Sequence, residues 1–206
     1  MELKNSKTFD HLARAFAGEC MARTRYEFAE YGARKAGYDN IAAIIDEIAY
    51  QEFNHARMFY TALQSASDGP LPNIDICAGY PFSQRWDLTE NLSASAEDEK
   101  AEGCEIYPEY ARVAEEEGFK DIAGLFRNVA AVELRHERIF RRLLGDLKSG
   151  RLYEREEPVT WRCSACGYET ESREAFEQCP LCQAKRGSID LYPRLGRLSA
   201  HDVGAR

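Results

Sequence analysis

Long apolar runs are missing from this 206-residue sequence. No stretch approaches the roughly eighteen consecutive apolar residues that a membrane-spanning helix needs, so no membrane association is expected. The N-terminal Met1-Glu2-Leu3-Lys4-Asn5-Ser6-Lys7 lacks the apolar core of a secretory leader, and a cytoplasmic location is the expectation. Positive charge is in deficit, with 27 Lys and Arg against 35 Asp and Glu for a net charge of −8. That balance leaves no basic stripe for general nucleic-acid binding. Proline is absent between residues 5 and 66, and cysteine is scarce before residue 158, where only three of the seven occur.

The charge is unevenly placed. The first 157 residues carry 20 basic and 29 acidic side chains, while the last 49 are near neutral and hold four cysteines. Two compositions in a chain of this length point to two soluble domains. Residues 5–66 read as helix with one break at Gly37-Tyr38-Asp39. Residues 67–86, with Pro70, Pro72, Pro81, Gly69 and Gly79, read as a long connection. Such a connection between helices suggests a crossover along a four-helix bundle. Helical pattern resumes near Leu88, breaks at Gly118 and runs to about Leu147, with Pro108 expected to kink the third helix. The predicted organisation is a bundle over 1–150, a charged linker at 151–157, a small domain at 158–195, and a tail at 196–206 read as disordered.

An internal repeat supports the bundle. A shift of 81 residues lays Gly37–Leu63 on Gly118–Leu144 without a gap, and nine of 27 positions are identical. The shared residues include Glu52/Glu133 and His55/His136. The apolar stripes then place ionisable groups where a core face should be. The second helix gives Ile41, Ile44, Ile45, Ile48, Glu52, His55, Phe59 and Leu63, and the fourth Ile122, Leu125, Phe126, Val129, Glu133, His136, Phe140 and Leu144. The first gives Phe9, Leu12, Phe16, Glu19, Arg23 and Tyr26, and the third Leu88, Leu92, Ser95, Glu99, Glu102, Ile106, Tyr110 and Val113.

Each unpaired buried carboxylate costs several kcal/mol even after relaxation. Five of them would exhaust a typical domain stability of about 5–15 kcal/mol. Two divalent or trivalent metals nearly cancel five negative charges, and carboxylate plus imidazole donors suit iron or manganese. Glu-x-x-His sets both ligand types on one helical face. The alternative is that each glutamate pairs with an arginine at the core edge, such as Arg23 or Arg57, on a solvated face.

The C-terminal part carries Cys163-Ser-Ala-Cys166 and Cys179-Pro-Leu-Cys182, separated by twelve residues. Four thiolates from two turns suffice for one tetrahedral metal, and spacing alone leaves zinc and iron open. Trp161, Tyr168 and Phe176 are candidates to cover the site.

Taken together, these motifs resemble the rubrerythrins over about residues 5–192. The resemblance is carried by Ala17-Gly18-Glu19 with Ala22-Arg23 and Arg25-Tyr26, Glu52-x-x-His55, and Asn91-Leu92-x-Ala94-Ser95 leading to Glu99-x-x-Glu102. It continues through Tyr107-Pro108, Ala114-Glu115-Glu116-Glu117-Gly118, Glu133-x-x-His136 and the rubredoxin-like tail. It implies a mainly α, ferritin-like di-iron bundle with a C-terminal Fe(Cys)4 domain, and a peroxidase that reduces hydrogen peroxide. Zinc is an alternative occupant of either site, and a ferroxidase is the alternative activity.

By the resemblance, Glu52 and Glu133 bridge the irons, Glu19 and Glu99 are terminal ligands, and His136 binds one iron. The other iron exchanges Glu102 for His55 with oxidation state. Tyr26 and Tyr107 are expected to hydrogen-bond ligands, with ordinary core packing as their alternative. The implied partners are a nicotinamide-dependent reductase or rubredoxin and a second copy in a head-to-tail homodimer. Cys20, Cys77 and Cys104 are read as small buried hydrophobes, and His11 as a helix-face residue.

Overall fold

The computed structural model describes residues 2–67, 69–71, 73–76 and 87–191. Helices α1 (Lys7–Lys35), α2 (Asp39–Gln64), α3 (Leu88–Ala101), α4 (Tyr107–Glu116) and α5 (Lys120–Lys148) precede strands β1 (Glu154–Cys163), β2 (Glu169–Glu174) and β3 (Ile189–Leu191). The bundle is built from α1, α2, the α3–α4 rod and α5, with a long crossover between α2 and α3. The ends are satisfied locally. Ser6 Oγ accepts the Phe9 N–H at the start of α1, and Asp87 accepts the Glu90 N–H at the start of α3. Glu117, just past α4, accepts the Lys7 and Thr8 N–H groups at 3.0 and 2.9 Å, capping α1 from across the bundle.

The repeat is a repeat of structure as well as of residues. Gly37 and Gly118 have φ of +84° and +90°, the left-handed region that glycine enters without penalty. In each case the glycine N–H bonds three residues back, to Arg34 or Glu115, and the next N–H bonds five back, to Ala33 or Ala114. This double bond pattern closes one helix. The following Tyr38 and Phe119 open the next with matching ψ of 63° and 65°.

The third rod departs from the expected single kinked helix. Between α3 and α4 lies one π-helical turn, Glu102–Ile106, in which the Tyr107 N–H bonds back five residues to Glu102. Pro108 has no N–H to give the Cys104 carbonyl, and it sits in the first turn of α4, where that loss is tolerated. The extra residue of the wide turn shifts the buried face by one position. Ile106, expected in the core stripe, is therefore exposed, while Gly103, Tyr107 and Ala111 are buried. Gly103 is required for the turn to lie against α5: a Cβ there would stand 2.7 Å from Leu134 Cγ and 3.0 Å from the Ala130 carbonyl.

Two apolar clusters fill the bundle. One gathers Tyr26, Ile41, Ile45, Leu92 and Phe140, the other Phe9, Leu12, Phe59, Tyr107 and Phe126. Beyond the bundle, β2, β1 and β3 form an antiparallel sheet in that order. Strand β1 begins inside the segment read as a linker, and Leu152 packs into the bundle core. The two parts touch at the α1–α2 turn, where Asn40 Nδ2 donates to the Ile189 carbonyl and Ser188 Oγ to Asp39. A Cβ on Gly187 would meet the Gly37 carbonyl at 1.7 Å, so only glycine permits this approach.

Cys20 and Cys104 are exposed, not buried as expected: Cys20 follows the inward-facing Glu19 on α1, and Cys104 follows the buried Gly103 in the π turn. His11 is half-buried on α1, its ring stacked on Tyr110 at 4.1 Å. Cys77 and residues 192–206, including the expected tail, lie outside the described residues. Among the described residues, no helix is long and apolar enough to cross a membrane.

Candidate metal centres

The four stripes deliver their charged residues to one layer. Glu19 on α1, Glu99 on α3, Glu52 and His55 on α2, and Glu133 and His136 on α5 are all buried. Their donor atoms converge as two overlapping sets, Glu19–Glu52–His55–Glu133 and Glu52–Glu99–Glu133–His136, with the atoms of each within 4.8 Å of one another. His55 Nδ1 lies 2.8 Å from Glu52 and 2.9 Å from Glu133; His136 Nδ1 lies 2.9 Å from Glu52, 2.8 Å from Glu133 and 3.5 Å from Glu99. Glu52 and Glu133 belong to both sets, the arrangement of two neighbouring ions sharing two carboxylates.

The unpaired polar atoms fit that occupancy. Glu19 Oε2, Glu52 Oε1, Glu99 Oε2, both Glu133 oxygens and His136 Nδ1 are buried and make no hydrogen bond of good geometry, close as the imidazole nitrogens stand to the carboxylates. Such atoms are costly unless something else binds them. The arginine alternative fails: Arg23 pairs with Glu27, and Arg57 reaches Asn54 at 3.5 Å. Without metal, the layer holds its charge by moving protons. Burial, reinforced by neighbouring carboxylates, pushes Glu19 and Glu99 well above the usual range. Burial opposes charge on Glu52 and His55 too, but each is outweighed by its partners. The imidazoles of His136 and His55 hold Glu52 at about 2, and the Glu133 and Glu52 carboxylates hold His55 at about 9.

Both tyrosines bond ligand-layer carboxylates. Tyr26 Oη donates to Glu99 Oε1 and Tyr107 Oη to Glu19 Oε1, a reciprocal crossing between α1 and the third rod. Tyr26 lies seven residues after Glu19, whereas Tyr107 lies eight after Glu99, and the π turn absorbs the extra residue. Glu102 opens that turn and belongs to neither donor set. Its carboxylate points toward Gly18, and burial with repulsion from Glu133 and Glu52 raises it to about 8. One contact was absent from the sequence reading: Gln51 Oε1 lies 2.7 Å from His136 Nε2. The visible signal was the repeat, in which Gln51 stands opposite the apolar Val132 beside the shared glutamates.

The four cysteines form the second centre. Cys163 and Cys182 sulfurs are 3.7 Å apart, and those of Cys166 and Cys179 are 3.6 Å apart. An ion bound about 2.3 Å from four tetrahedral sulfurs spaces them by about 3.8 Å, so the knuckles match a tetrahedral site. Each knuckle closes with an N–H bonded back to its first cysteine carbonyl, from Gly167 at 2.8 Å and Gln183 at 3.0 Å. Both closing residues have positive φ. Burial opposes ionisation of Cys179, but the Cys182 and Leu181 amides outweigh it and bring the thiol to about 7. Trp161 is buried against Cys163 and Cys179, and Tyr168 meets Phe176 edge-on at 5.8 Å over the same cluster.

The rubrerythrin family model matches residues 10–150, and the model of the rubrerythrin rubredoxin-like domain matches residues 161–188. The chain belongs to the rubrerythrin family. It is 42% identical over 180 residues to rubrerythrin of Porphyromonas gingivalis, covering 87% of each chain. It is 40% identical to rubrerythrin of Clostridium perfringens, covering 92% of this chain and 96% of that one. Among solved structures, the mixed-valence state of nigerythrin matches with a TM-score of 0.59 and 26% identity, covering 90% of this chain and 86% of that one. Bacterioferritin of Desulfovibrio desulfuricans, at 23% identity, covers 70% of this chain and 82% of its own with a TM-score of 0.63, a likeness of fold. As a rubrerythrin, the chain is a di-iron protein with a four-cysteine rubredoxin-like site, and iron is the expected metal in both.

Proposed function

We propose that this rubrerythrin is a non-haem di-iron peroxidase serving oxidative-stress protection, reducing hydrogen peroxide by H2O2 + 2H+ + 2e− → 2H2O. The observation that carries this reading is the pairing, in one chain, of a four-thiol site and a buried two-metal carboxylate–imidazole layer. Two irons held by this layer would supply the two electrons that one peroxide consumes. Glu52 and Glu133, common to both donor sets, would hold both irons, Glu19 and Glu99 would each hold one, and His136 would be a fixed ligand. Glu102 and His55 are assigned as alternating donors, a carboxylate suiting the ferric charge and a neutral imidazole the ferrous. Tyr26 and Tyr107 hold the two terminal carboxylates in place. The apolar clusters on either side exclude bulk water from the layer.

The rubredoxin-like domain is the proposed entry point for electrons from a nicotinamide-dependent reductase or rubredoxin in the cytoplasm. It docks on its own bundle at Asn40, twelve residues before Glu52 on α2, or about 18 Å along the helix. That separation favours delivery to a second copy in a homodimer. The outer face of α1 and α2 exposes Phe28, Tyr31, Tyr50, Phe53 and Tyr60 for such a partner.

Stopped-flow mixing of the reduced protein with peroxide tests the assignment. Rapid reoxidation of both centres is expected, and failure of both to reoxidise overturns it. A ferroxidase is the second reading, because bacterioferritin shares the fold. Oxidation of many Fe(II) per site under oxygen, with mineral formation in a shell-like assembly, would favour it.

A further inference from the structure

The repeat makes the two halves of the metal layer nearly symmetric, yet the proposed ligand exchange involves only one of its two histidines. We infer that Gln51 is a positioning residue that fixes His136 as an Nδ1 donor, and that Val132, at its mirror position, leaves His55 free to move. This inference rests on the ligand set proposed above and adds what makes its two imidazoles unequal.

The geometry sets the hydrogen-bond direction at His136. Nδ1 faces Glu52, Glu133 and Glu99 at 2.8–3.5 Å, so it is the metal-facing nitrogen and must be bare when an ion binds. Nε2 then carries the proton and donates it to Gln51 Oε1 at 2.7 Å. Metal-bound histidines ordinarily make such an outward N–H bond, which fixes the tautomer and the ring plane. Gln51 itself is anchored in α2 and lines a small cleft between α2 and α5 with Ile44, Ile48 and Ile139. It therefore reaches His136 from the opposite helix.

Applying the 81-residue shift carries Gln51 to Val132 and His136 to the place of His55. The mirror of the Gln51–His136 bond would thus run from residue 132 to His55, and valine has no acceptor to supply it. Within the repeat, Glu52 matches Glu133 and His55 matches His136, while residues 51 and 132 differ, one of several breaks in symmetry beside the layer and the one that touches a ligand histidine. The third rod adds the second half of the asymmetry. Glu102, three residues after Glu99, has as its counterpart Ala22, three after Glu19. The Glu102 carboxylate lies toward Gly18, beside Glu19, so the side whose imidazole lacks an acceptor at residue 132 is also the side supplied with a spare carboxylate.

Anaerobic cobalt(II) titration of the full-length metal-free chain tests this. Ligand-field bands of the carboxylate–imidazole sites are separated from thiolate charge-transfer bands of the four-cysteine site, which serve as an internal folding control. Wild type should bind two cobalt ions in the bundle. Gln51→Leu should keep one at unchanged affinity and weaken the other about 10–100-fold, and Gln51→Glu, which keeps an acceptor, should restore it. Val132→Gln should tighten the His55 side toward the affinity of the other. Two unchanged affinities in Gln51→Leu, or no rescue by Gln51→Glu, would overturn the inference while leaving the ligand set intact. Absence of bundle-bound cobalt in wild type would overturn the ligand set and the inference together.

Discussion

Replacing Gly103 by alanine probes the π turn on which the ligand register depends. The new Cβ would stand 2.7 and 2.9 Å from Leu134 Cγ and Cδ2, and 3.0 Å from the Ala130 carbonyl. Carbon pairs prefer about 3.5–4.0 Å, so the turn and α5 must separate by roughly 1 Å. The Leu134 side chain can rotate, but the carbonyl belongs to α5 and cannot. Overpacking of this kind costs about 1–3 kcal/mol. Against it stands the gain from removing glycine from a helix, about 0.5–1 kcal/mol. Gly124→Ala on α5 isolates that gain, because a Cβ there meets nothing within 4 Å. The two variants should therefore differ by about 1–3 kcal/mol, with Gly124→Ala above wild type. For a chain of this size that is about 2–4 °C in Tm per kcal/mol. The assay is thermal unfolding of the metal-free protein followed by far-UV circular dichroism. Equal stability of the two variants would refute the close packing of the turn.

Three further outcomes follow from named contacts. For the metal-free bundle, Glu102 at about 8 and His55 at about 9 are both raised by folding. Their stabilisation is full below about pH 4.5 and 6.5 respectively, and is lost as pH rises through the folded values. Glu52, depressed to about 2, acts oppositely and loses its contribution only as pH falls below about 4.5. The denaturant midpoint of metal-free protein should thus fall between pH 5 and 9 and flatten with metal bound; a rise would contradict the signs. Glu102→Ala should retain two bundle metals by metal analysis yet slow peroxide turnover, and unchanged turnover would refute the ligand exchange. Gly187→Ala should undock the C-terminal domain from the α1–α2 turn, seen as proteolytic cleavage near residue 152, with the four-cysteine spectrum unchanged; resistance equal to wild type would refute the contact.

Much of the layer was legible because burying a carboxylate is costly. Glu19, Glu52, Glu99 and Glu133 stood at apolar positions in helices whose caps and breaks were visible as Gly37 and Gly118. The third rod was harder to read. A period-based stripe assumes a constant helical turn, so it kept Ile106 inside and could not register the added residue before Tyr107. Pro108 marked the place but not the form of the break. Gln51 was invisible to periodicity because it sits beside the stripe and acts on a residue of another helix. Cys20 and Cys104 run against the apolar preference of cysteine, which is only a tendency, because the faces of α1 and the π turn put them outside. The four-cysteine site needed no period at all, since two knuckles of fixed spacing carry their own geometry.

The proposed division of labour between thiolate and carboxylate centres is tested most directly by anaerobic titration of the fully reduced, iron-loaded protein with hydrogen peroxide. The absorbance of the thiolate-bound ferric site and that of the bundle are followed together. Because each iron yields one electron and peroxide accepts two, complete reoxidation should need about 1.5 equivalents per chain. One equivalent is for the bundle pair and half an equivalent for the four-cysteine iron. A four-cysteine site that stays reduced while peroxide accumulates, or a bundle that consumes none, would contradict the account.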